Sequence, residues 1–481
     1  MQSKELDFVI SALAAHSPLT DSDAFMDWFE ARREVHRFRI ERIPFAELDK
    51  WAFEPSTGNL VHQSGKFFTV EGIRVETDFG PIREWSQPII NQPEIGILGI
   101  LAKKFDGVLH FLMQLKMEPG NIALVQLAPT LQATRSNYSR VHQGSEPPYL
   151  SYFLDRAGSR VLVDVLQSEQ GARFLRKRNR NIIVETSKDV PVGDDYCWLT
   201  LGQIYRLLRT DNLLNMDART VLSCISFAGP ELLDTPASDL PAALRGLGLS
   251  RGELGPFGAK VIGSALDTQN ALHDTDDIIS WFTELKTKYL LEVEPIPLKL
   301  VTKWYRDDYE IAHEDGKFFS VIAVRVQADN REVAAWTQPL LKPREEGIVA
   351  YIVKEINGVL HFLVQGKVEP GNFDVVEMAP TVQCVTGNYR QAKPEGRPAF
   401  LNDILTAPAD RVRLSTRQSE EGGRFFQEQN RNIIVEVGDD FPVEVPGNFI
   451  WITLNQLKTF IKYNNFVNVE GRCLLACLPF S

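Results

Sequence analysis

Polar side chains, three of them able to move protons, recur at even spacing along Val108–Glu118. Side chains alternate across an extended chain, so His110, Gln114, Lys116 and Glu118 share one face while Leu109, Phe111, Met113 and Leu115 share the other. An imidazole, an ammonium and a carboxylate on one surface can transfer a proton and steady an oxyanion. The pattern returns further along, with His361, Gln365, Lys367 and Glu369 opposite Leu360, Phe362 and Val364. The plain alternative is an antiparallel sheet with one solvated face. Retention of four residue types in one order favours a ligand-facing sheet, although common ancestry accounts for part of it.

Both runs end in Glu-Pro-Gly-Asn, at 118–121 and 369–372. A type II turn explains the Pro and the Gly but requires neither Glu118 nor Asn121. Beyond an Ala-Pro-Thr-x-Gln stretch come the loop pairs Asn137-Tyr138 and Asn388-Tyr389, where a phenol can act as acid, base or oxyanion donor or be simply a packed ring. Trp85 and Trp336, each before Gln-Pro, are placed to stack on a nucleobase or to fill a core. Tyr149, replaced by Phe400 in the second run, adds a phenolic donor to the first.

The chain is acidic, with a formal charge of −11, so an anionic ligand needs local cations. Arg173, Arg178 and Arg180, with Arg424 and Arg431, are candidates; guanidinium forks match a diphosphate, and surface solvation is the alternative. Arg176-Lys177-Arg178 becomes Gln427-Glu428-Gln429, which favours the first copy as anion holder. The net charge argues against nucleic acid and anionic membranes as partners. No Gly-x-Gly-x-x-Gly, phosphate-binding Lys loop, His-Glu-x-x-His or Gly-x-Ser-x-Gly occurs, so nicotinamide, ATP, zinc-protease and serine-hydrolase chemistry lose support. Five scattered cysteines without a Cys-x-x-Cys pair suggest buried thiols.

The elements that position these residues come in two sets. Gly65-Lys-Phe-Phe68 returns at 316–319, Trp85-Ser-Gln-Pro88 at 336–339, and Asn179-Arg-Asn-Ile-Ile-Val-Glu185 residue for residue at 430–436. Such self-similarity at nearly constant spacing marks an internal duplication. The 481 residues, 44% hydrophobic and 24% charged, suit two globular units, read as 1–226 and 273–481 joined by a Gly-, Pro- and Ala-rich connector at 227–272. Each unit is α+β, with β-branched and aromatic runs forming a mixed, mainly antiparallel sheet. Helices are expected after Asp21 and Asp274, across Gln167–Arg178 with Ser168 as cap, and across Trp198–Thr210 with Thr200 or Asp194 as cap. No apolar run reaches membrane-span length, and the N-terminus reads as an amphipathic helix, which makes the cytoplasm the expected compartment.

Taken together, Gly-Lys-Phe-Phe, Trp-Ser/Thr-Gln-Pro, His-Phe-Leu-x-Gln-x-Lys-x-Glu-Pro-Gly-Asn, Ala-Pro-Thr-x-Gln, Asn-Tyr, Gln-Ser-Glu-x-Gly and Asn-Arg-Asn-Ile-Ile-Val-Glu, occurring twice, make a chain that resembles the NDP-hexose 2,3-dehydratases. The resemblance implies two tandem Nudix-like domains, a homodimer, and a dTDP-linked 4-keto-6-deoxyhexose as substrate. The Nudix metal box, however, is absent: Ser168–Arg173 and Ser419–Arg424 lack its paired glutamates at helical spacing. The implied chemistry needs no cofactor: a base removes the C3 proton made acidic by a C4 ketone, a donor holds the enolate oxygen, and an acid assists departure of the C2 hydroxyl. On that footing Glu118 or Tyr138 is the candidate base, Lys116 or His110 stands near the C4 oxygen, and Glu169 is a candidate acid. Alternatives are a Mg²⁺-dependent nucleoside-diphosphate hydrolase and a non-catalytic nucleotide-sugar binder.

Overall fold

A computed structural model describes residues 3–134, 147–155, 159–235, 242, 244, 255–329, 333–389 and 396–479. The two sequence copies build matching seven-stranded sheets. In the first, the strands run Ser159–Ser168, Arg178–Thr186, Gly96–Phe105, Val108–Met117 and Tyr196–Thr200 in spatial order, with Val125–Ala128 and Leu131–Ala133 attached. Only Arg178–Thr186 and Gly96–Phe105 pair in parallel among the pairings of this sheet; the rest are antiparallel. The mixed α+β architecture expected from the strand runs is therefore present. Asp106-Gly107 turns the central hairpin with φ of 48° and 80°, and Asn357-Gly358 does the same with 52° and 76°. Glycine is suited to the second position because it meets no Cβ penalty there.

Each copy also contributes to a five-stranded sheet, and here the copies exchange strands. Phe38–Ile43 of the first pairs with Phe319–Ala328 of the second, from Phe38 opposite Ala328 to Ile43 opposite Ala323. Leu291–Ile296 of the second returns the exchange, lying against Thr69–Thr77 from Leu291 opposite Thr77 to Ile296 opposite Gly72. Pro295 is accommodated because this strand lies at the sheet's edge. Helices Met216–Ser223 and Val469–Ala476 pack on one another, and one continuous apolar core holds Phe8 and Phe111 together with Phe282, Phe362 and Leu474. The two copies are thus interlocked around a shared interior.

The segment read as a connector contains the helix Pro256–Leu266, which belongs with the second copy. Ser264 Oγ donates to Leu360 O and accepts from Leu454 N, as Ser11 Oγ in helix Lys4–Leu13 donates to Leu109 O and accepts from Leu201 N. The helices after Asp21 and Asp274 form, as Ser22–Val35 and Thr275–Lys288. All five cysteines are free thiols; Cys197, Cys473 and Cys477 are buried, whereas Cys224 and Cys384 are partly exposed.

Two helix expectations need correction. Gln167–Arg178 is not a helix: it is the end of one strand, an irregular loop and the start of the next. Its backbone is claimed from elsewhere, since Ile90 N donates to Arg173 O, Leu175 N to Ile90 O and Arg176 N to Gly371 O. Arg176 moreover has φ of 49°, incompatible with a right-handed helix. The second expected helix begins only at Leu201, because Tyr196–Thr200 is paired with Val108–Met117 as a strand. Thr200 is its cap, in a reciprocal capping box with Gln203; Asp194 is not.

Candidate active site between the repeats

The turn Glu118–Asn121 leaves the end of strand Val108–Met117 and meets a loop of the other copy. Gly120 N donates to Gly422 O at 2.7 Å and Gln427 N donates to Gly120 O at 2.7 Å. The related turn makes the mirrored bonds, Gly371 N to Gly171 O at 2.6 Å and Arg176 N to Gly371 O at 2.8 Å. Each cleft is therefore assembled from both copies. The first joins Lys116 and Glu118 to the loop at Glu421–Arg424; the second joins Lys367 and Glu369 to the loop at Gln170–Arg173.

Glu118 is buried, 4% exposed. Its Oε1 accepts from Gln132 Nε2 at 2.8 Å and lies 3.7 Å from Lys116 Nζ. Gln132 is aimed in turn by Asn215 Nδ2, which donates to its Oε1 at 3.2 Å. Asn215 also caps helix Met216–Ser223, accepting from Ala218 N. Glu118 Oε2 has no hydrogen-bond partner among the described residues, which leaves an acceptor ready for a substrate proton. The second cleft repeats the scheme with Gln383 to Glu369 at 3.2 Å, Lys367 to Glu369 at 3.4 Å and Asn468 to Gln383 at 2.7 Å.

Further titratable groups crowd the first cleft. Asp217, buried on Met216–Ser223, is held well above the usual carboxylate range by burial and then by the charges of Glu421, Glu118 and Glu169. Glu169 is pushed up to about 7 by burial and by Glu421, although Asn179 Nδ2 donates to its Oε1 at 2.7 Å. Burial pulls the Lys177 ammonium down while Glu169 and Glu421 oppose that; its Nζ donates to Glu94 O. At the related places the second cleft has Glu428 for Lys177 and Glu377 for Gln126. Burial pushes both of those carboxyls up to about 7. Carboxyls in the second cleft thus stand where the first has an ammonium and an amide.

The arginines distribute differently from their order in sequence. Arg424 of the second copy serves the first cleft, its Nε on Gln92 Oε1 at 3.1 Å and its guanidinium 4.4 Å from the Phe68 ring. Arg173 of the first copy serves the second cleft, stacked 4.4 Å from Phe319 and 4.0 Å from Glu428. Arg178 lies 3.4 Å over Phe373, also of the second copy. Arg180 is held at the partly exposed edge by Asp164 through bonds of 2.7 and 2.8 Å, and Arg431 bonds Ser415. The five arginines do not form one diphosphate cluster, because the loops carrying them cross between copies.

Several other expected site residues hold structure. His110 is correct in face but remote in position: six residues of strand put it about 20 Å from Lys116. Both its ring nitrogens are engaged, with Ser17 Oγ at 2.8 Å and Val108 O at 2.9 Å, and burial lowers its pKa. Trp85 Nε1 donates to Gln87 Oε1 and Trp336 Nε1 to Gln338 Oε1, both at 2.8 Å. Those glutamines hold the crossing loops through Ala172 O and Gly423 O, so each indole buttresses a loop. Tyr149 OH is spent on Pro191 O at 2.7 Å and on Gly193 N at 3.1 Å. Gln365 donates to Pro380 O at 2.9 Å, and Gln114 sits half-buried on the strand between its neighbours. Asn388 and Tyr389 occupy one short turn, where burial and then Cys384 raise the phenol's pKa. Asn137 and Tyr138 lie outside the described residues.

Sequence reasoning passed over Glu421, Asp217, Gln132 and Asn215 as site residues, and counted Lys177 only within the basic run Arg176-Lys177-Arg178. A signal existed in the comparison of copies, where Gln170 is answered by Glu421 and Lys177 by Glu428.

Comparison with known proteins agrees in extent with the duplication. The family model described as NDP-hexose 2,3-dehydratase matches residues 22–225 and again 275–478. A protein of Saccharopolyspora spinosa is 51% identical over 98% of this chain and 94% of its own length. One from Amycolatopsis orientalis is 47% identical over 94% and 88%, and one from Streptomyces violaceoruber 46% over 96% and 97%. All three carry the name dTDP-4-dehydro-6-deoxy-alpha-D-glucopyranose 2,3-dehydratase.

Proposed function

This chain belongs to the NDP-hexose 2,3-dehydratase family, and from that premise we propose that it eliminates water from dTDP-4-keto-6-deoxy-D-glucose to give dTDP-3,4-diketo-2,6-dideoxy-D-glucose. The observation that carries the reading is Glu118, whose Oε2 lacks a partner among the described residues while Oε1 is fixed by Gln132 and neighbours Lys116. The C4 ketone makes the C3 proton acidic, and Glu118 takes it. The Lys116 ammonium beside that carboxylate suits the negative charge that develops on the C4 oxygen. Arg424, reaching in from the other copy, is the cation best placed for the diphosphate of the first cleft.

Other parts of the reading rest on resemblance. A Nudix-like fold for each repeat accords with a mixed sheet containing one parallel pair. A homodimer and a role in deoxysugar biosynthesis are proposed on the family likeness. A cytoplasmic place accords with the finding that no described helix is long and apolar enough to cross a membrane. The test is incubation with dTDP-4-keto-6-deoxyglucose, before and after exhaustive chelation, followed by mass spectrometry. Loss of one water, undiminished by chelation, is the expected result; release of a nucleoside monophosphate only with Mg²⁺ replaces the dehydratase by the hydrolase.

A further inference from the structure

The two crossing loops meet between the clefts, and they are chemically unequal. Gln170 Nε2 donates to Glu420 Oε2. The related positions hold Glu421 and Glu169, two carboxyls, so the equivalent hydrogen bond can form only if one of them retains a proton. Their surroundings favour that: burial raises both groups, and Glu421's charge further raises Glu169. Glu421 also has a defined relation to Glu118. A Cβ placed on Gly423 would lie 3.2 Å from Glu421 Oε1 and 3.6 Å from Glu118 Oε1, so the two carboxyls flank one gap. The second cleft has Ala172 at the position of Gly423 and an amide at that of Glu421.

We propose that Glu421, contributed by the second repeat, is the general acid of the first-repeat cleft and protonates the departing C2 hydroxyl while Glu118 acts as the base. This rests on the dehydratase reading above. Glu118 accepts the C3 proton, and the C3–H electrons form C3=C4 with negative charge on the C4 oxygen. That enolate then re-forms the C4 carbonyl as C2=C3 forms and the C2–O bond breaks, and the hydroxyl leaves as water with Glu421's proton. The remaining C3 enol returns its O–H proton to Glu421, while C2 takes the proton held by Glu118. The product is the 3,4-diketone, and both carboxyls are back in their starting states. Glu169 is a positioning residue here: Glu421's charge raises Glu169, and that mutual opposition favours a proton retained on the pair.

Glu421→Gln tests the assignment, and the fold should accept it because Gln170 already occupies the related position. The full-length variant is assayed in deuterium oxide with dTDP-4-keto-6-deoxyglucose, reading C3 exchange by NMR and water loss by mass. We expect C3 exchange within a few-fold of the wild-type deprotonation rate and water loss reduced on the order of 10² to 10⁴, with KM little changed. Unimpaired water loss overturns the proposal, as does loss of exchange and dehydration in equal measure, which would place Glu421 in the deprotonation step. Glu421→Asp, which keeps the acid but shortens its reach, should retain exchange and recover part of the water loss; no recovery relative to Gln also counts against the assignment, and this variant carries the same exchange-versus-dehydration test if the Gln protein does not fold. A wild-type protein that neither exchanges C3 nor loses water refutes the dehydratase reading itself and not this assignment alone.

Discussion

Gly120 donates its backbone N–H to the carbonyl oxygen of Gly422 at 2.7 Å, joining the first copy's catalytic turn to the second copy's loop. A Cβ on Gly120 would lie 1.6 Å from Phe425 O, a contact with backbone that no rotamer change relieves. Gly120→Ala should therefore destabilise the protein by more than about 4 kcal/mol or prevent folding. Gly447→Ala, where a Cβ meets nothing within 4 Å, should stay within about 0.5 kcal/mol of wild type. Urea unfolding midpoints decide; equal midpoints for the two variants would show that the docking contact is dispensable.

The strand exchange predicts that the halves depend on each other. Residues 1–235 alone lack the strand that lies on Thr69–Thr77, and residues 255–481 lack the one that lies on Phe319–Ala328. Produced separately, neither should give native circular dichroism with cooperative unfolding. Refolded together, they should associate and recover activity. A cooperative, native-like half on its own would contradict the exchange.

Glu118→Gln should keep substrate binding and lose the chemical step, with kcat reduced on the order of 10² to 10⁴, because the amide is nearly isosteric and cannot accept the C3 proton. Glu369→Gln should be mild. Paired kcat measurements check this. A dead Glu369→Gln enzyme beside an active Glu118→Gln enzyme would move catalysis to the second cleft, and two active variants would send the search for the base to Tyr138 and Tyr389.

Tyr149→Phe should cost about 1 kcal/mol of stability, the usual contribution of one hydrogen-bonding hydroxyl, because its phenol ties Pro191 O to Gly193 N. Phe400 occupies the related place without that hydroxyl. KM should be unchanged; a several-fold rise would return Tyr149 to the substrate.

Three buried carboxyls, Glu169, Glu377 and Glu428, have folded pKa values raised to about 7 from an ordinary 4.5. Between those values the folded chain binds protons that the unfolded chain has released, so this contribution to stability is complete below about 4.5 and is lost as pH rises through about 7. Urea midpoints should fall between about pH 5 and 7 and level off above that, and fall less steeply in Glu428→Gln, which removes one such group. An unchanged slope in that variant would mean that Glu428 is not protonated in the folded protein.

The sequence by itself determined the duplication, the α+β class, and the alternation that brings Lys116 and Glu118 to one strand end, because these depend on local periodicity and on self-comparison. It also offered Thr200, beside Asp194, as a candidate helix cap; the structure chose Thr200, whose capping box with Gln203 is contained within four residues. Only the tertiary structure decided which turn meets which loop. Arg173 and Arg424 exchange clefts, and Glu421 comes beside Glu118, through backbone bonds between segments far apart in the chain, Gly171 with Gly371 and Gly120 with Gly422. The same long-range bonds explain the failed helix at Gln167–Arg178: its amides and carbonyls are paired with Ile90 and Gly371, and a partner supplied by another part of the chain leaves no periodic trace in the segment that it reshapes.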